Sequence, residues 1–196
     1  DLRRIRLVFS LLFTLPGTPV VVYGDEIGMG EDLSQPGRNA VRLPMQWTGG
    51  RNGGFSTAAR SRLVQPALAD GPFGYKKVNV AAQQGDPDSL LSWVRRLVQA
   101  RRACPEFGFG TWHVVEIDVP SVLAHRCVWK EGIVVAVHNF SDRKQTVTLD
   151  LRDQRGRRME GCFGEDEKYA IEGTPEIELE PYGYEWYRIL GDRVGD

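Results

Sequence analysis

Cysteine, histidine and net charge are all scarce in this sequence. Its 196 residues include three cysteines and three histidines, and 25 basic side chains nearly balance 26 acidic ones. Cys104, Cys127 and Cys162 are odd in number and widely spaced, which argues against a disulfide framework and against a Cys-x-x-Cys metal site. The near-zero net charge gives no reason to expect nucleic acid or an anionic membrane as a partner. We therefore expect a protein of a reducing compartment, the cytoplasm, with no metal site and no cofactor.

Uninterrupted hydrophobic runs are missing as well. Residues 5–23 form a markedly apolar stretch, but Arg6, Pro16, Gly17 and Pro19 interrupt it well short of the length that a membrane helix requires. No secretory signal is recognisable at the beginning of the chain. The sequence thus predicts a protein that does not span a membrane.

A helix and a buried strand are predicted at the beginning of the chain. Leu2, Ile5, Phe9 and Leu12 recur at helical spacing and predict a helix over residues 2–13. After a Pro-Gly turn, residues 20–23 form a continuous apolar run that ends in Gly-Asp-Glu. Such runs are typical of parallel strands that are covered on both faces, and the residues just past such strands line the site in a parallel barrel.

Two segments of this region resemble the α-amylase superfamily, glycoside hydrolase family 13. They are GTPVVVYGDEIGM, residues 17–29, and RLPMQW, residues 42–47. In that family the first segment lies at the last strand of a (β/α)8 barrel, and the second lies in the loop that follows. NGGFS, residues 52–56, and GYKKVNVAAQ, residues 74–83, are similar to the trehalose synthase (maltose glucosyltransferase) branch of the family.

The expected fold class is α/β plus all-β. Residues 1–107 are expected to be the C-terminal portion of a catalytic (β/α)8 barrel, a TIM barrel, with its last strand, flanking helices and a long active-site loop at 24–75. A helix is predicted from Asp86-Pro87 to Cys104-Pro105. Residues 108–196 are expected to form an antiparallel β-sandwich domain, with strands predicted at 113–119, 122–129, 133–140, 147–151, 176–180 and 184–190.

The resemblance implies a retaining mechanism. In that mechanism an aspartate attacks the anomeric carbon, a glutamic acid protonates the leaving oxygen and a second aspartate stabilises the transition state. In the family these residues follow earlier barrel strands, and their motifs do not occur in these 196 residues. We therefore expect the catalytic residues upstream of residue 1, in a missing N-terminal barrel segment that is a partner of this chain. The chain alone is expected to be inactive.

Arg42, Gln46 and Trp47 are the candidates for substrate binding. The guanidinium group of Arg42 can hold vicinal sugar hydroxyls by paired hydrogen bonds, and the resemblance implies that this arginine helps to bind the terminal glucose. The alternative for Arg42 is a structural ion pair within the loop. The indole of Trp47 could stack on a sugar face or anchor the loop.

Five further residues are interpreted as supporting the site or stabilising its loops: Tyr23, Asp25, Glu26, Arg38 and Asn39. Asp25 and Glu26 are adjacent, so in an extended segment only one of them can face the pocket. A structural role is favoured for both, because the family's catalytic carboxylates lie elsewhere. Tyr23 is expected in the core or behind the residues that contact substrate. Arg38 and Asn39 could shape the entrance, although loop stabilisation is favoured.

The remaining polar and aromatic candidates lie in the sandwich. The histidines show no metal-ligand spacing and are interpreted as ordinary strand residues: His113, His125 and His138. Aromatic side chains near the end of the chain could form a platform for sugar rings, but packing at an edge of the sandwich is favoured: Tyr182, Tyr184, Trp186 and Tyr187.

Three functions are compatible with these patterns. The resemblance favours an enzyme that breaks the α-1,4 bond of maltose and rejoins the glucose units through an α,α-1,1 bond, as trehalose. One alternative is an α-glucosidase or oligosaccharide hydrolase of the same family. The other is a non-catalytic structural or carbohydrate-contacting module. The expected ligand is an α-linked glucose di- or oligosaccharide such as maltose or trehalose.

Overall fold

The computed structural model describes residues 1–164, 168–171 and 174–191. The chain divides into two compact units. The first contains residues 1–19 and 97–196, and the second contains residues 20–96. The last residues of the predicted 108–196 domain, 192–196, lie outside the described residues. Within the described ranges no helix combines the length and hydrophobicity that a membrane span requires.

Helix α1, Leu2–Thr14, opens the first unit. The Asp1 side chain caps it by accepting a hydrogen bond from the backbone N–H of Arg3 at 3.0 Å. The helix ends at Leu15, which is extended and precedes a proline. The prediction of a helix over residues 2–13 is confirmed.

In the described part of the first unit, eight strands, all paired antiparallel, form two sheets. Their bounds are β1 Thr111–Val115, β2 Val122–Trp129, β3 Gly132–Asn139, β4 Gln145–Thr148, β5 Arg158–Phe163, β6 Lys168–Ala170, β7 Glu176–Leu179 and β8 Tyr184–Leu190. Six strands lie in the order β1-β2-β3-β8-β5-β6, and β4 pairs with β7 in a second sheet. Helix α3, Leu90–Ala103, begins in the second unit and ends in the first, where the short helix α4, Glu106–Phe109, follows it.

The core of the first unit lies between the two sheets. Ile177 and Leu179 of β7 are buried, while the alternating glutamates of that strand are exposed. They pack with residues of the larger sheet such as Val135 and Val137 of β3. Strand β3 is buried on both faces, because α1 and α4 cover the face turned away from the second sheet. A strand covered on both faces reads as a continuous apolar run.

Most strands agree with the sequence prediction, and two were missed. Strands β2 and β8 have the predicted bounds, 122–129 and 184–190. Strands β5 and β6 were not predicted. The sequence of β5, RMEGCF, has no regular alternation, and its pairing with β8 contains a register irregularity between Gly161 and Phe163. A bulge of this kind breaks the period of two on which strand prediction depends.

A buried polar network attaches α1 to the larger sheet. The indole N–H of Trp186 donates to Ser10 Oγ at 2.8 Å, and Ser10 Oγ lies 3.0 Å from His138 Nε2. His125 Nε2 lies 3.1 Å from the carbonyl oxygen of Thr14, which can only accept, so this nitrogen carries the proton. The two imidazole rings stack with centroids 5.8 Å apart. Both histidines therefore have a specific packing role that the sequence did not indicate.

Burial keeps these two histidines neutral. Loss of solvation, and to a smaller extent the neighbouring His125, lowers the pKa of His138 to about 3, against the opposing effect of the hydrogen bond with Ser10. The pKa of His125 falls to about 4 for the same main reason, against the opposing effect of the hydrogen bond to Thr14. A protonated imidazole in this place would be a desolvated charge.

The second unit is built mainly from loops and short helices. Its 3-10 helices are Asp25–Ile27, Gly37–Val41, Arg51–Gly54 and Arg60–Arg62, and one helical turn, α2, spans Val80–Gln83. A small core of Ile27, Met45 and Leu91 holds them together. Residues 24–75 thus form a long loop that is ordered and packed against this small core. Helix α3 begins at Leu90 and not at Asp86-Pro87, because Asp86 Oδ1 instead accepts from the backbone N–H of Asp88 at 2.9 Å and closes a turn.

The predicted buried strand at residues 20–23 is not present. Val20 is 78% exposed and Val22 is 53% exposed, and no strand in the described part of the chain pairs with this segment. A strand is held by hydrogen bonds to its neighbours and by cover on its faces. Among the described residues this apolar segment has neither the hydrogen-bonded neighbours nor the cover of a buried strand.

Candidate functional site

A glycine-bounded turn follows the apolar segment 20–23. Gly24 has a φ of 97°, and a Cβ at this position would lie 2.6 Å from Met29 Sδ, so only glycine fits. Asp25 Oδ2 accepts from the backbone N–H of Val22 at 3.1 Å. Glu26 Oε2 accepts from the backbone N–H of Gly24 at 2.6 Å. Both carboxylates therefore satisfy backbone donors of their own turn.

Tyr23 connects the two segments that carry the family resemblance. Its hydroxyl donates to the carbonyl oxygen of Leu43 at 3.1 Å, and Leu43 is buried. The ring of Tyr23 remains 58% exposed. The hydroxyl of this partly exposed tyrosine thus fixes the start of the RLPMQW segment.

Arg42 lies with Tyr23 on an open groove of about 460 Å³. Its side chain is exposed, and within the described ranges it has no hydrogen-bond or ion-pair partner. Phe55 and Arg62 line the same groove, together with Pro44, Ser56, Ala58, Leu63, Val64 and Gln65. Two guanidinium groups and two aromatic rings around one groove can bind a polyhydroxylated ring by hydrogen bonds and by stacking.

Gln46 holds the loop together from inside. The side chain is completely buried, and its Nε2 donates to the carbonyl oxygens of Val78 at 2.6 Å and Phe73 at 3.1 Å. Its backbone carbonyl accepts from Val80 N–H at 3.0 Å. The observed contacts are structural, and the predicted contact of Gln46 with a sugar stays a prediction.

Trp47 is held by its backbone and leaves its indole half-exposed. The backbone N–H of Trp47 donates to the carbonyl oxygen of Gly53 at 2.8 Å, and its backbone carbonyl accepts from the N–H of Ala81 at 3.0 Å. Asn52 adopts a positive φ of 53° and donates through Nδ2 to the carbonyls of Ser56 and Ala58. The NGGFS segment is therefore a tight turn that fixes the end of RLPMQW.

Arg38 and Asn39 lie on the exposed 3-10 helix Gly37–Val41. Neither lines the groove that contains Arg42. The sequence reasoning missed Arg62, for which no motif gave a signal, and Phe55, which lies inside the quoted NGGFS segment. It also missed Gln83, whose carboxamide donates to Ile27 O at 2.8 Å and accepts from Leu91 N–H at 3.1 Å.

The aromatic residues near the end of the chain pack within the first unit. Trp186 and Tyr187 are buried. The guanidinium group of Arg4 covers the ring of Tyr182 at 4.7 Å from its centroid, and Tyr184 stacks with Phe163 at 6.1 Å. These contacts favour the packing interpretation over a sugar platform. Among the described residues no group of three or more His, Cys, Asp or Glu side chains is arranged to hold a metal ion.

Comparison with known proteins identifies both parts of the chain. Residues 1–108 match the family model of the alpha amylase catalytic domain. Residues 132–188 match the family model of the sucrose hydrolase-like C-terminal domain. The two matches follow the same order along the chain as the barrel part and the sandwich expected from the sequence.

Individual relatives agree with these matches. The chain is 40% identical over 194 residues to the trehalose synthase of Pimelobacter sp. (strain R48), covering 96% of this chain and 34% of that protein. It is 38% identical over 199 residues to the trehalose synthase/amylase of Mycobacterium tuberculosis (strain H37Rv), covering 100% of this chain and 33% of that protein. The chain thus spans about a third of the length of these relatives.

The fold is shared with solved structures. The crystal structure of Bacillus licheniformis trehalose-6-phosphate hydrolase superposes with a TM-score of 0.75 at 20% identity, covering 96% of this chain and 39% of that one. The predicted fold class, the C-terminal part of a (β/α)8 barrel domain followed by an antiparallel β-sandwich, is confirmed.

Proposed function

Because this chain belongs to the alpha-amylase catalytic-domain family, we propose that the complete protein is a trehalose synthase-like enzyme. It converts maltose into trehalose by retaining glucosyl transfer, in which the glucose released from the α-1,4 bond is rejoined through an α,α-1,1 bond. The observation that carries the proposal is the similarity to proteins named trehalose synthase across 96% of the chain or more.

The groove lined by Tyr23, Arg42, Phe55 and Arg62 is the part of the substrate site that this chain contributes. Arg42 binds vicinal hydroxyls of a glucose ring, and its exposed guanidinium group, which has no partner among the described residues, supports this role over a structural ion pair. The half-exposed indole of Trp47 offers a face for a sugar ring. Gln46, buried beneath, positions the loop that carries both.

The proposal includes the domain division at residues 107 and 108. The barrel part, 1–107, supplies the loop 24–75, and the remainder of the barrel supplies the attacking aspartate and the glutamic acid. The family-model matches at 1–108 and 132–188 support this division.

An isomerase must also keep water from the glycosyl-enzyme, and an ordered loop is suited to that task. The free thiols of the three cysteines support the cytoplasm as the compartment.

Product analysis tests the proposal. The complete protein is incubated with maltose, and trehalose and glucose are separated by chromatography. Trehalose as the major product is the expected result. Glucose alone would overturn the synthase assignment and support the second candidate, a hydrolase of the same family, which the name of the mycobacterial relative, trehalose synthase/amylase, favours. No turnover of maltose, trehalose or longer α-glucosides would overturn both and leave the non-catalytic module.

A further inference from the structure

Two cysteines that are far apart in sequence meet in the first unit. The sulfur atoms of Cys104 and Cys162 lie 3.7 Å apart, although 58 positions separate them in the chain. Cys104 follows the last residue of α3 and is buried, whereas Cys162 lies on β5 and is partly exposed. A small molecule that reaches Cys162 therefore stands beside both sulfurs.

Two arginines and one glutamate lie near this pair of thiols. The guanidinium group of Arg188 donates to the carbonyl oxygen of Ala103 at 2.6 Å and to Glu106 Oε2 at 3.3 Å, next to Cys104. The hydrogen bond with Cys162 lowers the pKa of Cys104, and the charges of Arg188 and Arg101 lower it further, against the effects of burial and of Glu106. Since the thiolate is the reactive form of cysteine, Cys104 is the nucleophile of the pair.

Cys127 differs from Cys104 in that no second thiol is hydrogen-bonded to it. It is completely buried in β2, and burial raises its pKa to about 11. Neither of the other two cysteines lies in contact with it. Cys127 is therefore an internal control for the behaviour of an isolated, protonated thiol in the same fold.

We propose that Cys104 and Cys162 are an oxidation site, at which hydrogen peroxide converts the two thiols into a reversible disulfide. The Cys104 thiolate attacks one peroxide oxygen, the O–O bond breaks, and water leaves after protonation, so that Cys104 becomes a sulfenic acid. The Cys162 sulfur then attacks the Cys104 sulfur and loses its proton, and the S–O bond breaks with release of a second water. Two thiols lose two electrons, and one peroxide gains them.

The geometry requires little movement for this reaction. The two sulfurs of a disulfide lie about 2 Å apart. A change of side-chain rotamer can move a cysteine sulfur farther than the observed separation has to shrink. The new bond would join the end of α3 to β5 and close a long loop, which restricts the unfolded chain. A thiol reductant reverses the reaction, as a cytoplasmic redox site requires.

Peptide mapping of the complete protein tests the proposal. The native protein is treated with hydrogen peroxide, its remaining thiols are alkylated, and it is digested with trypsin. The sequence places the three cysteines on separate tryptic peptides: 103–126, 127–130 and 159–168. Mass spectrometry should find 103–126 linked to 159–168 with the loss of two hydrogen atoms, and dithiothreitol should abolish the link. Peptide 127–130 should remain alkylated.

Two variants and one change of conditions sharpen the test. Cys127→Ser should keep the link, while Cys162→Ser should eliminate it and leave Cys104 as a sulfenic or higher acid. Alkylation of both Cys104 and Cys162 after peroxide, a link through Cys127, or a link that forms only in urea would each overturn the proposal. The result on the native wild-type protein decides the question even if a serine variant does not fold.

Discussion

At the scale of single residues, side chains within one sequence motif differ in their exposure to solvent. Arg42 and Gln46 both belong to RLPMQW, yet the first is exposed on a groove and the second is completely buried. The chemistry of a side chain indicates which ligand groups it can bind. Whether it faces solvent depends on the turns around it, such as the backbone contacts between Trp47 and Gly53.

Arg42→Lys should lower kcat/KM of the complete protein on maltose by about 10- to 100-fold, which corresponds to the loss of a charged hydrogen bond. Lysine keeps the charge but lacks the planar fork that can engage two hydroxyls. The measurement is steady-state kinetics of maltose consumption. Arg38→Lys is the matched control, because Arg38 is exposed on the same loop but does not line the groove.

An unchanged kcat/KM for Arg42→Lys, with Arg38→Lys equally unchanged, would contradict substrate binding by Arg42. Equal losses in both variants would assign the effect to the loop and not to the guanidinium group of Arg42.

At the scale of elements, polar contacts attach α1 to the larger sheet. The hydrogen bonds of Ser10 with Trp186 and His138 are buried, so any of these groups left without its partner would cost more than the bond itself contributes. A helix packed by apolar contacts alone could rotate or slide more readily. The network therefore fixes the position of α1 on β3 and β8.

The neutral histidines make the first unit sensitive to acid. The pKa values of His125 and His138, about 4 and about 3, lie below the ordinary value, so the unfolded chain binds protons first. Their contribution to stability is complete above about pH 6.5 and is lost progressively as pH falls from there to about 4 for His125 and about 3 for His138. We expect the free energy of unfolding to fall by about 1.4 kcal/mol per pH unit for each histidine between about pH 6 and pH 4.

Urea denaturation at several pH values measures this slope. His113→Gln, at an exposed position on β1, is the comparison variant. His138→Gln should reduce the slope, and proton NMR titration of the wild-type imidazoles gives the two pKa values even if that variant is unstable. Values near 6.5 for both buried histidines would refute the explanation.

At the scale of the whole molecule, the proposed function places this chain as one part of a larger enzyme. The chain spans about a third of the length of its relatives, and its second unit exposes apolar side chains such as Val20, Val22 and Val64. Such exposure is typical of surfaces that other protein segments cover. The substrate groove and the catalytic carboxylates are proposed to come from different stretches of the complete protein.

The 196-residue chain by itself should therefore release neither trehalose nor glucose from maltose. The complete protein, assayed at equal molar concentration, is the positive control, and circular dichroism of the short chain shows whether its sheets have formed. Turnover by the short chain would contradict the expectation that the attacking aspartate and the acid lie outside it.

Much of the fold was accessible from the sequence. Helix α1 and strands β2 and β8 follow from periodicity, because a local pattern of apolar residues records which face of an element is buried. Strand β5 was missed, since a bulge interrupts its period. The prediction of a strand at 20–23 was wrong for the described structure. Apolar composition indicates a tendency to be buried, but a strand also needs hydrogen bonds to neighbouring strands, which composition does not show.

The sequence by itself determined the family, the order of a barrel part and a β-sandwich, and the candidate role of Arg42, because motifs and periodicities are local properties of a chain. Only the tertiary structure decided which distant residues meet. It placed Ser10 against His138, Tyr23 against Leu43, and Cys104 against Cys162. Such contacts depend on how elements pack and in which register strands pair, and spacing along one sequence does not encode either.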